Sequence, residues 1–128
     1  MKLSELIFEN EFYSDADIGE IEVGSVTSDT SAVGRETAFV LLPGVRFDTG
    51  KIVSFVVAKR PKVIICESLP EDAAEDIPVL FVKNARRTLS FMLSRFWGID
   101  YGKMTFVGIT GTNGKTTVCR VLSDILNS

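Results

Sequence analysis

Residues 104–117 of this chain read MTFVGITGTNGKTT, and this stretch determines the fold class. Residues 104–109 form a β-rich apolar run, and the eight residues that follow carry two glycines. Residues 118–126 (VCRVLSDIL) then repeat apolar side chains at helical spacing. Strand, glycine loop and helix occur in the order that a phosphate-binding loop requires. The pattern predicts α/β architecture, with an anion site at the strand-to-helix turn.

The residues of this loop suit the chemistry of a bound nucleotide. Glycines let backbone N–H groups turn towards phosphate oxygens, Lys115 reaches the β- and γ-phosphates, and Thr116 offers its hydroxyl to Mg²⁺. Lys115 is thus the predicted catalytic residue and Thr116 the predicted metal ligand. The predicted ATP-binding set is Gly111, Thr112, Asn113, Gly114, Lys115, Thr116 and Thr117.

The match is to a short G-x-x-G-K-T pattern, because the longer phosphate-loop pattern would place glycine where this chain has Ile109. A glycine turn followed by an incidental Lys-Thr pair is the alternative interpretation. ATPases, kinases, GTPases and ligases share this loop, so the loop alone does not distinguish them.

The preceding residues predict alternating strands and helices. Short apolar runs predict strands at 37–42, 62–66 and 78–82. Residues 51–60 favour a helix that ends at Pro61, although their valine content leaves a strand open. Asn84 is a good N-cap for an amphipathic helix that Gly98 ends, and its Arg86, Arg87 and Arg95 are interpreted as a solvated face.

Composition excludes several classes of protein. The 128 residues carry a net charge of −3, which does not favour nucleic-acid binding, and contain no histidine, which excludes His-based triads and zinc sites. No apolar run is long enough to span a membrane and the N-terminus does not look like a signal peptide, so the cytoplasm is the expected compartment. The two cysteines, Cys66 and Cys119, are expected to be free thiols.

The loop T-G-T-N-G-K-T-T after a V-G-I strand resembles the ATP loop of the Mur ligases and of their folylpolyglutamate synthase relatives. Upstream, Asp29-Thr30-Ser31, residues 39–44 (FVLLPG), Asp48 and residues 62–67 (KVIICE) also fit this family in order and spacing. They resemble the N-terminal domain of those Mur ligases that add the third residue of the peptidoglycan stem peptide. The resemblance covers essentially the whole chain.

The resemblance implies a domain organisation and a substrate site. Residues 1–102 would form the UDP-sugar-binding domain, and residues 103–128 would supply the first strand, phosphate loop and helix of a central ATPase domain. The implied contacts to the UDP-N-acetylmuramoyl dipeptide are Ser28, Thr30, Val45, Arg46 and Phe47. Arg46 suits a diphosphate and Phe47 suits stacking on uracil.

Three departures from the family pattern bear on this site. Ser31 stands where the family has arginine, Thr49 stands where it has glycine, and residues 34–37 (GRET) replace a Pro-Gly-Asp preference. Sugar-nucleotide binding could therefore be weakened, altered or supported by other residues. An ordinary polar loop between strands is the alternative for these positions.

The resemblance further implies an ATP-dependent amide ligase that uses ATP and Mg²⁺. It would couple UDP-N-acetylmuramoyl-L-alanyl-D-glutamate to an amino acid through an acyl phosphate, in a full-length monomer that binds neither nucleic acid nor membrane. The family's carbamylated lysine, second Mg²⁺ ligands and C-terminal domain would lie beyond Ser128, so the chain is expected to be an inactive fragment, and its self-association is left open. Alternatives are another Mur-type ligase, such as the D-Ala-D-Ala adding enzyme, and a non-catalytic UDP-sugar-binding module whose ATP loop lacks the parallel strands that it needs.

Overall fold

A mixed β-sheet covered by helices on both faces organises the molecule, as seen in a computed structural model. The structure describes residues 1–7, 12–14, 17–44, 49–69, 73–74 and 76–128. In these ranges the sheet has five strands, which are β1 Phe12–Tyr13, β2 Ser25–Thr27, β3 Thr37–Val40, β4 Val63–Cys66 and β5 Val79–Val82. Their order is β1-β5-β4-β3-β2; β2 to β5 are parallel, and β1 is antiparallel to β5.

Strands β3, β4 and β5 carry mostly apolar side chains on both faces, as expected for parallel strands that helices cover on both sides. Along β4, Val63 and Ile65 enter one core while Ile64 and Cys66 enter the other. Strand β3 divides its side chains in the same way, with Val40 in the first core and Phe39 in the second. All four residues of β4 are fully or almost fully buried, so this strand lies at the centre of the molecule.

The four α-helices of the described residues are α1 Leu3–Leu6, α2 Thr49–Ala58, α3 Ala85–Phe96 and α4 Lys115–Leu126. Helices α1 and α3 cover the first core, to which α3 contributes the fully buried Met92. Helix α2 covers the second core through Val53 and Val56. The described ranges also contain two 3₁₀ turns, Thr30–Ala32 and Tyr101–Lys103.

Helix α2 ends without the glycine that commonly closes a helix. Arg60 adopts the left-handed conformation at φ 51°, and its N–H donates to the carbonyl of Val57 at 2.9 Å. The following Pro61 is buried and cannot continue the helix. A side chain at this φ costs about 1 kcal/mol relative to glycine. The backbone is therefore strained where the chain leaves α2 and turns towards β4.

Most of the predicted elements are confirmed. The strand runs predicted at 37–42, 62–66 and 78–82 contain β3, β4 and β5, and the helix alternative at 51–60 is correct. Asn84 caps α3, since its side-chain oxygen accepts from the N–H of Arg87 at 2.9 Å, and Gly98 takes the left-handed conformation at φ 62°. Cys66 and Cys119 are both free.

The strand predicted at 104–109 is wrong for this chain. Residues 104–110 have no strand partner within the described ranges, and all except Ile109 are exposed. A strand is held by hydrogen bonds from a neighbouring strand, and the strands of the described residues all lie between residues 12 and 82. The large apolar side chains of this segment and of α4 therefore face solvent, among them Phe106 and Leu126.

Candidate functional site

The loops that follow β2, β3, β4 and β5 all leave the same edge of the sheet, because these strands are parallel. Ligands of open α/β sheets bind outside this carboxyl edge. A cavity of about 160 Å³ lies there, at the ends of β3 and β4. Its lining residues are Leu41, Leu42, Pro43, Gly44, Thr49, Cys66, Glu67 and Ser68.

The start of α3 forms one side of this edge. Glu67 follows β4 directly, and its Oε1 accepts from the backbone N–H of Ala85 at 2.9 Å, so a carboxylate meets the positive end of the helix. In the same helical turn, Arg86 Nη2 donates to the carbonyl of Pro43 at 3.4 Å, which brings a guanidinium to the loop after β3. A guanidinium at this position suits an anionic ligand.

Exposed arginines of α3 also make defined contacts. Besides the Arg86 contact, Arg95 Nη1 donates to the carbonyl of Glu5 at 2.7 Å and its guanidinium lies 4.4 Å from the centroid of the Phe91 ring. The hydrogen bond to Glu5 joins α3 to α1. The sequence pattern did not reveal the contacts with Pro43 and Glu5, because these partners are distant along the chain.

A buried thiol lines the β4 side of the cavity. Cys66 is fully buried, and desolvation raises the pKa of its thiol from 9.0 to about 11. A neutral thiol with a raised pKa is a poor nucleophile and a poor metal ligand. Among the described residues no group of three or more His, Cys, Asp or Glu side chains could hold a metal ion, so Cys66 acts here as an apolar side chain.

The loop after β2 carries the predicted substrate residues Ser28 and Thr30, and a hydrogen-bonded carboxylate shapes it. Asp29 Oδ1 accepts from the backbone N–H of Ser31 at 2.8 Å and from its hydroxyl at 2.7 Å. The N–H of Asp29 donates to Thr27 Oγ1 at 3.0 Å. The Ser31 hydroxyl and then its N–H lower the pKa of Asp29, so this carboxylate stays ionised and holds the 3₁₀ turn at 30–32.

Ser31, which departs from the family's arginine, thus has a defined role in this chain. Its hydroxyl and N–H both donate to the Asp29 carboxylate. Thr49, the second departure, is the first residue of α2 and lines the edge cavity. Val45, Arg46 and Phe47, predicted to contact the substrate, lie outside the residues that the structure describes, as does Asp48.

The predicted ATP-binding residues span the turn before α4 and the first residues of that helix. Gly111 has φ 153° and Gly114 has φ 75°, and a Cβ at Gly114 would meet no atom within 4 Å, so the backbone conformation rather than space requires glycine there. The first helical hydrogen bond runs from Val118 N–H to the Gly114 carbonyl at 2.9 Å. The N–H groups of Lys115, Thr116 and Thr117 precede it and have no acceptor within the helix.

These N–H groups and the positive end of α4 suit a phosphate group, so the residues present fit a bound nucleotide. Every residue from Gly111 to Thr117 is exposed. Among the described residues, no hydrogen bond or ion pair joins this loop to Ser28 or Thr30. The structure therefore holds two separate sets of predicted site residues, one at the carboxyl edge of the sheet and one at the start of α4.

A larger cavity, of about 610 Å³, lies along the side of α3. Phe91, Ile99 and Tyr101 give it a mostly apolar lining, and it includes none of the predicted site residues. The predicted residues Ser28 and Thr30 instead follow β2, at the carboxyl edge of the parallel strands. None of the described helices is long and apolar enough to cross a lipid bilayer.

Sequence reasoning assigned no role to Glu67 or Arg86 at this edge. A charged residue directly after a fully buried strand was the available signal for Glu67. Arg86 gave no such signal, because the Pro43 carbonyl that it contacts lies 43 residues away.

Comparison with known proteins gives one consistent answer. Three relatives carry the name UDP-N-acetylmuramoyl-L-alanyl-D-glutamate--2,6-diaminopimelate ligase. The one from Cytophaga hutchinsonii is 29% identical over 95% of this chain, that from Clostridium tetani 30% over 98%, and that from Lactiplantibacillus plantarum 33% over 83%. The chain spans 25%, 26% and 21% of the lengths of these relatives, respectively. No family model matches the chain.

Proposed function

Because this chain belongs to the Mur ligase family, we propose that it is the substrate-binding part, and the start of the ATP-binding part, of a ligase of peptidoglycan precursor synthesis. The whole enzyme would add the third amino acid to UDP-N-acetylmuramoyl-L-alanyl-D-glutamate. The names of the relatives support this reaction, and 2,6-diaminopimelate is the amino acid in those names. A cytoplasmic location and a division between residues 102 and 103 are part of the same proposal.

The observation that carries the proposal is the geometry ahead of α4. Gly111 and Gly114 adopt positive φ, and three N–H groups at the start of the helix are left for an anion. These groups and the Lys115 ammonium would hold the phosphates of ATP, and the Thr116 hydroxyl would take a place on Mg²⁺. When bound, Mg²⁺-ATP supplies the phosphoryl group that activates a carboxylate for attack by an amine.

The chain's own contribution at this loop is binding and charge neutralisation. The Lys115 cation lies at the positive end of α4, where it favours the negative charge that spreads over a phosphoryl group during transfer. No side chain of this loop is suited to act as a base, since it carries only threonines, an asparagine and Lys115 beside its glycines. Positioning and electrostatics are therefore the expected source of catalysis here.

The carboxyl edge of the sheet is the proposed substrate site. Ser28 and Thr30 follow β2, and the cavity at the ends of β3 and β4 lies beside the next loop. Arg86 adds a cation suited to a diphosphate, beside the predicted role of Arg46. The contacts of Ser28, Thr30, Val45, Arg46 and Phe47 with the sugar nucleotide stay predictions.

Calorimetric titration of UDP-N-acetylmuramoyl-L-alanyl-D-glutamate into the 128-residue chain, with UDP alone as the comparison, tests the substrate site. We expect saturable binding with preference for the muramoyl dipeptide. Thr30→Ala should weaken it, while Thr105→Ala, on the exposed segment before the ATP loop, should leave it unchanged. Absence of binding to both ligands would contradict the proposed substrate site.

Release of ADP by the whole ligase tests the reaction. We expect sustained release only when the muramoyl dipeptide and an amino acid are both present, because transfer of the phosphoryl group to the carboxylate forms ADP and the amine must then displace phosphate before the next turnover. Lys115→Ala should abolish release, whereas Lys103→Ala, which removes an exposed ion pair with Asp100 at 3.2 Å, should not. Release that needs neither substrate would refute the ligase assignment.

A second function, for the chain by itself, is a UDP-sugar-binding module that does not use ATP. The observation that favours it is the exposed segment 104–110, which has no strand partner among the described residues. A phosphate loop whose strand is unpaired is poorly organised for tight binding. Measurable ATP affinity of the 128-residue chain would contradict this second function.

A further inference from the structure

One lysine reaches across the surface to the loop that carries Ser28 and Thr30. Lys59 follows the last residue of α2, and its Nζ donates to the carbonyl of Thr30 at 2.8 Å and to that of Ser31 at 3.3 Å. The same ammonium lies 4.7 Å from the centroid of the Phe55 ring, one helical turn earlier. A cation held by two carbonyls and an aromatic face has little freedom to move.

The two carbonyls belong to a turn that needs such a partner. Thr30–Ala32 is a single 3₁₀ turn, too short to satisfy its last carbonyl groups by its own N–H groups. The Asp29 carboxylate accepts from the N–H and hydroxyl of Ser31. An anion thus binds the donors of the turn and a cation binds its carbonyls, and Lys59 connects the turn to α2.

We propose that Lys59 is a positioning residue for the sugar-nucleotide site, which holds the backbone of the 28–31 loop in its binding conformation. This inference rests on the proposed substrate site. The loop follows a strand of three residues at the edge of the sheet, so few backbone hydrogen bonds order it. Ordering it before the ligand arrives lowers the entropy that binding must overcome, so loss of the ammonium weakens binding.

The variant Lys59→Met removes the ammonium and keeps an unbranched apolar side chain against Phe55. Lys59→Arg keeps a cation that can donate to both carbonyls. Lys62→Met is the matched control, because Lys62 lies nearby in sequence. Its ion pair with Glu36, at 4.0 Å, is long and exposed. All three are compared with the unsubstituted 128-residue chain by calorimetric titration of UDP-N-acetylmuramoyl-L-alanyl-D-glutamate.

We expect Lys59→Met to weaken binding about tenfold, which is about the contribution of one hydrogen bond from a charged donor. Lys59→Arg should recover most of the affinity, and Lys62→Met should leave the affinity unchanged. Urea unfolding midpoints separate this from a loss of the fold, and we expect them to differ little among the variants. Equal affinity of Lys59→Met and the unsubstituted chain, or no recovery in Lys59→Arg, overturns the inference.

Amide hydrogen exchange without ligand distinguishes this inference from the proposed function. The N–H of Ala32 donates to the Asp29 carbonyl at 3.1 Å and that of Ser31 to the Asp29 side chain, so both report on the turn. We expect Lys59→Met to accelerate their exchange at least about tenfold relative to Lys62→Met. If the unsubstituted chain binds no sugar nucleotide, the proposed substrate site is refuted. If amide exchange in Lys59→Met is the same as in Lys62→Met, the positioning role is refuted, whether or not the ligand binds.

Discussion

Alkaline pH should weaken the fold through one buried thiol. Cys66 is fully buried at the end of β4, and its pKa is raised from 9.0 to about 11 by desolvation. In the unfolded chain the thiol loses its proton as pH rises through 9, while the folded chain keeps it until about 11. The folded state then binds more protons than the unfolded state, so the free energy of unfolding falls as pH rises.

The size of this loss of stability follows from the pKa of the Cys66 thiol in the unfolded chain and in the folded chain. At pH 8 the thiol is neutral in both states and contributes no pH dependence. At pH 10 the free energy of unfolding is lower by about 1 kcal/mol, and at pH 11 by about 2 kcal/mol, since one pKa unit corresponds to about 1.36 kcal/mol. Comparison with a variant that lacks the thiol isolates this effect, because the two proteins differ at Cys66 alone.

Urea unfolding of the chain and of Cys66→Ala, at pH 8, 9, 10 and 11, measures this effect. Cys66→Ala is expected to be less stable at pH 8, because it leaves a small cavity beside the second core. The stability difference between the two should shrink by about 1 kcal/mol at pH 10. Parallel pH curves for the two proteins would refute the reasoning, and would mean that water reaches the thiol from the carboxyl-edge cavity.

Three further predictions concern single turns of the chain. Arg60→Gly should raise the free energy of unfolding by about 1 kcal/mol in urea titration, because φ 51° strains any side chain; equal or lower stability would show that the arginine side chain offsets this strain. Asn84→Ala should lower it by about 1 kcal/mol through loss of the α3 cap, whereas Asn127→Ala, beyond the end of α4, should not. Ser31→Ala should raise the pKa of Asp29 towards its ordinary value in a carbon-detected NMR titration, since the Ser31 hydroxyl is the largest cause of its lowering. The turn at 30–32 should then loosen at a higher pH on acidification, because a carboxylate with a lowered folded pKa stabilises only above that pKa; an unchanged Asp29 titration would contradict the hydrogen bond.

Elements with strong local patterns could be predicted from the sequence. Helix α3 has a capping asparagine, apolar residues at helical spacing and a closing glycine within one segment. It begins and ends close to the residues that this pattern predicts. Strands β3 and β4 are continuous apolar runs, which parallel strands buried on both faces require. The glycines ahead of α4 and the lysine that begins it likewise predict a phosphate loop from neighbouring residues alone.

Short edge elements could not be predicted in this way. Strands β1 and β2 have two and three residues, too few for a periodic pattern, and exist because β5 and β3 offer them hydrogen-bonding partners. The opposite holds at 104–109, where a good strand sequence has no strand beside it in the described part of the chain. Strand formation depends on the partner as much as on the residues.

The sequence by itself determined the α/β class, the helix α3, the central strands and the loop ahead of α4, since each depends on residues close together in the chain. Only the tertiary structure decided that Glu67 meets the start of α3, that Cys66 is buried where it lines the carboxyl-edge cavity, and that Lys59 holds the Thr30 carbonyl. These contacts join residues 18 to 29 positions apart or depend on burial. They follow from the order of the strands, which is set by how the two apolar cores are filled and is not encoded in any local pattern.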